Sequence, residues 1–119
     1  PLRHQKSYMS GKPGVAVATC AIPEDCNGMP PACANGANAV SFYMMEEGMN
    51  FLGAVKIQGN VPCIRCGHGD GCPASGIKMI FGQKATVDSV GVNTFEIQDT
   101  ALETAQTLGR QLADLLRQK

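Results

Sequence analysis

Apolar residues gather in two short runs, and a third set recurs at helical spacing near the end of the chain. Gly14-Val15-Ala16-Val17-Ala18-Thr19 follows a turn at Ser10-Gly11-Lys12-Pro13. A brief run of valine and alanine without polar alternation suits a strand buried on both faces. Residues 51–57, Phe51-Leu52-Gly53-Ala54-Val55-Lys56-Ile57, have the same character. Between the two, residues 36–47 read as a helix, with Val40, Tyr43, Met44 and Ala37 on one face and Glu46 and Glu47 at a polar end. Gly48 is placed to end that helix as its C′ residue. Strand, loop, helix and strand at this spacing predict a βαβ unit and a parallel sheet.

The last element is the clearest. Ala101, Ala105, Leu108, Leu112 and Leu115 form an apolar stripe, widened by Leu102 and Leu116. Asp99 or Thr100 is placed to cap it, and Thr100-x-x-Glu103 fits a capping box. The stripe predicts a helix packed on the sheet. Residues 85–97 carry β-branched side chains with poor alternation and predict an extended excursion. Residues 20–35 and 59–82 are crowded with Gly, Pro and Cys and read as loops. Long loops at strand ends often carry function. The prediction is a single partial α/β domain over residues 1–119. Two parallel strands would leave both outer edges unpaired, so further strands are expected from an N-terminal half or a partner chain. The opening residue, Pro1 in place of an initiator methionine, fits that expectation.

Charge narrows the function classes. Ten basic residues balance ten acidic ones, and no basic face is evident. Neither nucleic acid nor an anionic membrane surface is therefore expected as a partner. The apolar runs fall short of the roughly 20 residues that a membrane-crossing helix requires. No nucleophile-elbow or metalloprotease motif is present.

Six cysteines change the picture more. Metal or cluster ligation ranks first, free or redox thiols second, and structural disulfides last, because the helix and strand patterns are unlike those of a loop-rich disulfide framework. The densest motif is Cys63-Ile64-Arg65-Cys66-Gly67-His68-Gly69-Asp70-Gly71-Cys72-Pro73. Two thiolates separated by two residues suit adjacent vertices of a metal or cluster, and the glycines allow N–H groups close to sulfur. Cys20, Cys26 or Cys33 offers a fourth ligand, since both cysteine loops follow strands of a parallel sheet and emerge at one edge. An iron–sulfur cluster is preferred, with zinc the alternative. His68 and His4 read as surface histidines, Asp70 as a turn residue, and Met44, Met45 and Met49 as core filling.

Three segments also resemble the C-terminal half of the flavodoxin-like NADPH-dependent FMN reductases, a group that includes quinone reductases and iron–sulfur flavoproteins. Ser10-Gly11-Lys12-Pro13-Gly14-Val15-Ala16-Val17 is similar to the entry to that family's fourth strand. Glu47-Gly48-Met49-Asn50-Phe51-Leu52-Gly53 resembles its next strand entry, and Thr100 to Arg110 resembles the start of its last helix. The resemblance implies a five-stranded parallel sheet with flanking helices and FMN at the C-terminal strand edge. It places Thr19, Cys20, Ala21, Asn35 and Gly36 nearest the flavin. It further implies a nicotinamide or protein electron donor and a homo-oligomer, and a cluster-bearing thiol set favours a reducing cytoplasm. The resulting expectation is a redox flavoprotein segment. Its rivals are a zinc-stabilised interaction module and a simple FMN or quinone reductase with incidental thiols.

Overall fold

The computed structural model describes residues 8–26 and 28–118. Strand β1, Pro13–Cys20, and strand β2, Asn50–Gln58, pair in parallel as a two-stranded sheet. Helix α1, Ala32–Glu46, connects them and packs on one face. The βαβ unit expected from the apolar pattern is therefore present. Gly48 ends α1 with a φ of 70°, donating its N–H to the Met45 carbonyl. His4 lies outside the described residues.

The strands run in register except at one point. Gly14 lies opposite Phe51 and Val15 opposite Gly53, so the ladder skips Leu52. Gly53 takes up the irregularity with a φ of 152°, and a Cβ there would stand 2.9 Å from a Leu108 methyl. Only glycine accommodates both the backbone and the close approach of the last helix.

Helix α2, Gly76–Phe81, and helix α3, Val87–Val90, are short and lie in the excursion between β2 and the last helix, α4, Asp99–Arg117. α4 packs Ala101, Ala105 and Leu108 over the sheet face opposite α1 and leaves Leu116 exposed. Val55, Ala101 and Leu108 form the centre of that core, with Val15, Leu52, Ile57, Phe95 and Ala105 packed around them. Because α4 lies mainly over β2, β1 is not buried on both faces as expected. Gly14 and Ala16 are covered by α1, whereas Val17 is 58% exposed and Thr19 is exposed.

Three local expectations are corrected. α1 starts at Ala32, inside the stretch read as loop, because Ala32-Cys33-Ala34 follows Pro30-Pro31 as a helix-compatible turn. Residues 85–97 form α3 and a 3₁₀ turn, Phe95–Ile97, in place of an extended run. Thr86 and Ser89 bond reciprocally there, each side chain to the other's backbone N–H, and that capping box folds the chain back. At α4 the helix begins after Gln98 with no side-chain cap, and the Thr104 hydroxyl bonds the Thr100 carbonyl. Gln98 cannot cap because its amide is engaged elsewhere. It accepts from the Gln58 N–H and donates to the Gln58 carbonyl, both at 2.9 Å. Asn60 makes the same double contact with the backbone of Asn93.

The Gln98 amide occupies the outer edge of β2 at Gln58, its last residue, and no further strand pairs there among the described residues. β1 has no strand on its other edge among the described residues. Among those residues, no helix is long and apolar enough to cross a membrane.

Candidate functional site

The two cysteine-bearing loops follow the C-terminal ends of the two strands. Cys20 is the last residue of β1, and Cys33 is the second residue of α1. The two form a disulfide with Cα atoms 5.4 Å apart. The sulfur of Cys33 lies 3.4 Å from the Ile57 carbonyl oxygen and 3.8 Å from that of Ala18. The sulfur of Cys20 lies 3.3 Å from the Ile22 carbonyl. Cys33 is 3% exposed, and Cys20 is half-buried.

The loop closed by this bond is held in two further places. A Glu24 carboxylate oxygen accepts from the Ala34 N–H at 2.8 Å, taking one of the orphan donors of the first turn of α1. The Cys26 thiol donates to the Ile80 carbonyl at 3.4 Å, which fastens the first cysteine loop to α2 in the second. The Gly59 N–H bonds the Cys20 carbonyl at 2.6 Å, so the second loop departs directly beside the end of the first strand.

The second loop is organised by backbone bonds to sulfur. Cys63 sits in a 3₁₀ turn, Pro62–Ile64, and its Sγ accepts from the Gly76 N–H at 3.3 Å. The Cys66 Sγ accepts from the His68 N–H at 3.3 Å, and its thiol donates to the Cys63 carbonyl. Such donors stabilise a thiolate and tune any centre bound to it. The Cys72 N–H reaches the His68 carbonyl at 3.0 Å, and the Ser75 N–H reaches the Cys72 carbonyl at 3.1 Å. Gly69 packs flat against the Cys63 carbonyl, where any Cβ would collide. Asp70 accepts from the Val87 N–H at 2.7 Å and fixes the start of α3.

Ser75 is buried at 3% exposure, and its hydroxyl has no hydrogen-bond partner. A cavity of about 310 Å³ lies along Cys72, Pro73, Ser75 and Lys78, and another of about 280 Å³ along Gly67, His68, Asp70 and Asp88. A third, of about 450 Å³, opens between Lys56 and the start of α4, away from every cysteine.

The chain matches no family model, no curated protein and no solved structure. What it does must be argued from the site itself. Of the residues expected near a flavin, Thr19, Cys20 and Ala21 lie at the end of β1. Asn35 and Gly36 lie inside α1, not in a loop. Thr19 and Asn35 are exposed, and a Cβ on Gly36 would stand 3.6 Å from that of Ala18, so this glycine faces β1.

Of the six expected metal ligands, Cys20 and Cys33 are paired with each other, and Cys26, Cys63, Cys66 and Cys72 are free. Among the described residues, no three of His, Cys, Asp and Glu converge to hold a metal ion. The exposed His68 contributes its backbone to the loop. Glu24 and Ser75 were not foreseen. Neither carries a motif, and both matter only through a contact or a burial that the fold creates.

Proposed function

We propose that the chain is part of a flavodoxin-like redox protein, with FMN at the C-terminal strand edge and a cysteine-ligated redox centre in the second loop. The observation that carries the reading is the pair of cysteine loops beside one strand end. Two sulfurs of the second loop already receive backbone N–H bonds. Ligands leave an open parallel sheet at this edge. The open edge of β1, with Val17 exposed beside it and Tyr43 exposed on α1, supports the addition of further strands there. The outer edge of β2 is taken at Gln58 by the Gln98 amide.

On this reading Thr19 and Asn35 offer polar side chains to the flavin. When bound, that group supplies two-electron and one-electron transfer. Cys63, Cys66 and Cys72 supply three ligands to the redox centre. Cys26 is the fourth, being the free cysteine of the first loop already attached to the second. Bringing the four together requires the 66–72 turn to close over Cys63. Iron–sulfur remains preferred over zinc for a centre beside a flavin. The orphan hydroxyl of Ser75, one residue before the Gly76 donor to Cys63, supports a bound group there.

The test is a visible absorption spectrum of the anaerobically isolated protein, with iron, sulfide, zinc and flavin assayed on the same sample. Flavin bands over a broad absorption that bleaches with dithionite are expected, with iron and labile sulfide present. A colourless protein containing only zinc would replace this reading with that of a zinc-stabilised interaction module.

A further inference from the structure

We infer that Cys20 and Cys33 are a reversible dithiol–disulfide couple, exchanging with an external dithiol, and not a structural staple. The inference does not depend on a flavin or a metal. It rests on how the surroundings suit both oxidation states. In the oxidised state the bond joins the end of β1 to the first turn of α1. In the reduced state each new thiol would need an acceptor, and each already has one. The Ile57 carbonyl lies 3.4 Å from the Cys33 sulfur, and the Ile22 carbonyl lies 3.3 Å from that of Cys20. Opening the bond therefore creates no unsatisfied donor. A bond that serves only as a staple has no need of this.

One thiolate of an external dithiol attacks the half-buried Cys20 sulfur, and the Cys20–Cys33 bond breaks with its electron pair going to Cys33, which is protonated. The second thiol of the reagent then attacks its own sulfur in the mixed disulfide, releasing Cys20. The reagent leaves as a disulfide, and its two protons are carried by Cys20 and Cys33. Opening also releases the covalent closure of residues 21–32, which hold Cys26 against Ile80. The couple thereby governs the grip between the two cysteine loops.

The test is differential alkylation with peptide mapping on the native protein purified without reductant. One sample receives dithiothreitol and another a reduced thioredoxin, with no denaturant in either. Cys20 and Cys33 are expected to gain one label each, with the far-ultraviolet circular dichroism unchanged. The bond should return on oxidation. Opening by dithiothreitol alone identifies a small dithiol as the donor class, and opening by both admits a protein dithiol. Opening by neither, or opening only with loss of the circular dichroism signal, overturns the couple. Cys33→Ser preserves a hydroxyl donor to Ile57 and isolates the attacked sulfur. It should trap a mixed disulfide at Cys20 with oxidised glutathione, and failure to do so in a folded variant contradicts attack at that sulfur. None of these readouts measures flavin or iron, so their failure is distinguishable from failure of the proposed redox centre.

Discussion

The two cysteine loops have similar composition and leave neighbouring strands at the same edge, yet the fold treats their sulfurs differently. In the first, the chain leaves β1 at Cys20 and returns at the start of α1, and the two ends bring Cys20 and Cys33 into covalent contact. In the second, the chain returns to the end of β2 at Gln98, just before α4, and brings no cysteine with it. Cys63, Cys66 and Cys72 stay free, and backbone N–H groups are directed at two of them. Sulfur chemistry here follows from where the chain is pinned, more than from cysteine count or spacing.

The strongest way to break the comparison is to remove the pin. Cys20→Ser and Cys33→Ser each open a loop with a sequence separation of 13, which costs about 3 kcal/mol in the chain-entropy view. Chemical denaturation of the oxidised protein and each variant should show that loss. It should vanish when both proteins are measured under reductant. The second loop should respond to a steric change instead. Gly69→Ala forces a Cβ onto the Cys63 carbonyl and within 2.9 Å of a Val87 methyl, which should cost roughly 1–3 kcal/mol and expose Cys63 to alkylation. Thermal unfolding and alkylation rate check the two parts.

Smaller effects are expected at the scaffold. Gln98→Ala leaves the Gln58 N–H and carbonyl without their partner and should cost about 1–2 kcal/mol. Faster hydrogen exchange at Gln58 should accompany it. Lys56→Ala removes a 3.9 Å contact with Glu24 between half-exposed side chains, and denaturation should register less than about 0.5 kcal/mol. Glu96 should show the least. Its own backbone N–H, followed by the Thr94 hydroxyl, holds its carboxyl below the usual range. A lowered folded value means that its contribution is present above the unfolded value and is lost as pH falls through the folded one. Full exposure keeps that contribution slight, and an NMR titration of the Glu96 carboxyl checks the direction.

The framework was legible where periodicity is a direct image of packing. Val15 to Thr19 and Gly53 to Ile57 pair as parallel strands, and Ala101, Ala105 and Leu108 face the sheet as their spacing requires. Cap positions were less so. Thr100 and Glu103 look like a capping box, but Gln98 is drawn to the β2 edge and sets the helix start before them. The box that does form, Thr86 with Ser89, lies in a segment whose β-branched residues suggested extension. The pairing of Cys20 with Cys33 was hidden by the start of α1. Residues 20–35 read as one loop because Pro30 and Pro31 signal a break, whereas Pro31 stands at the threshold of the helix that carries Cys33 to its partner. The free sulfurs of the second loop could be named from spacing, but their N–H donors, Gly76 above all, could not.

Mapping all six cysteines in the anaerobically isolated protein, by alkylation and mass spectrometry with and without a strong chelator, tests the contrast between the loops most directly. The account predicts a Cys20–Cys33 linkage that is indifferent to the chelator, and Cys26, Cys63, Cys66 and Cys72 protected until the chelator is added. Failure of Cys20 and Cys33 to link on mild oxidation, or labelling of the second-loop cysteines without chelator, would contradict it.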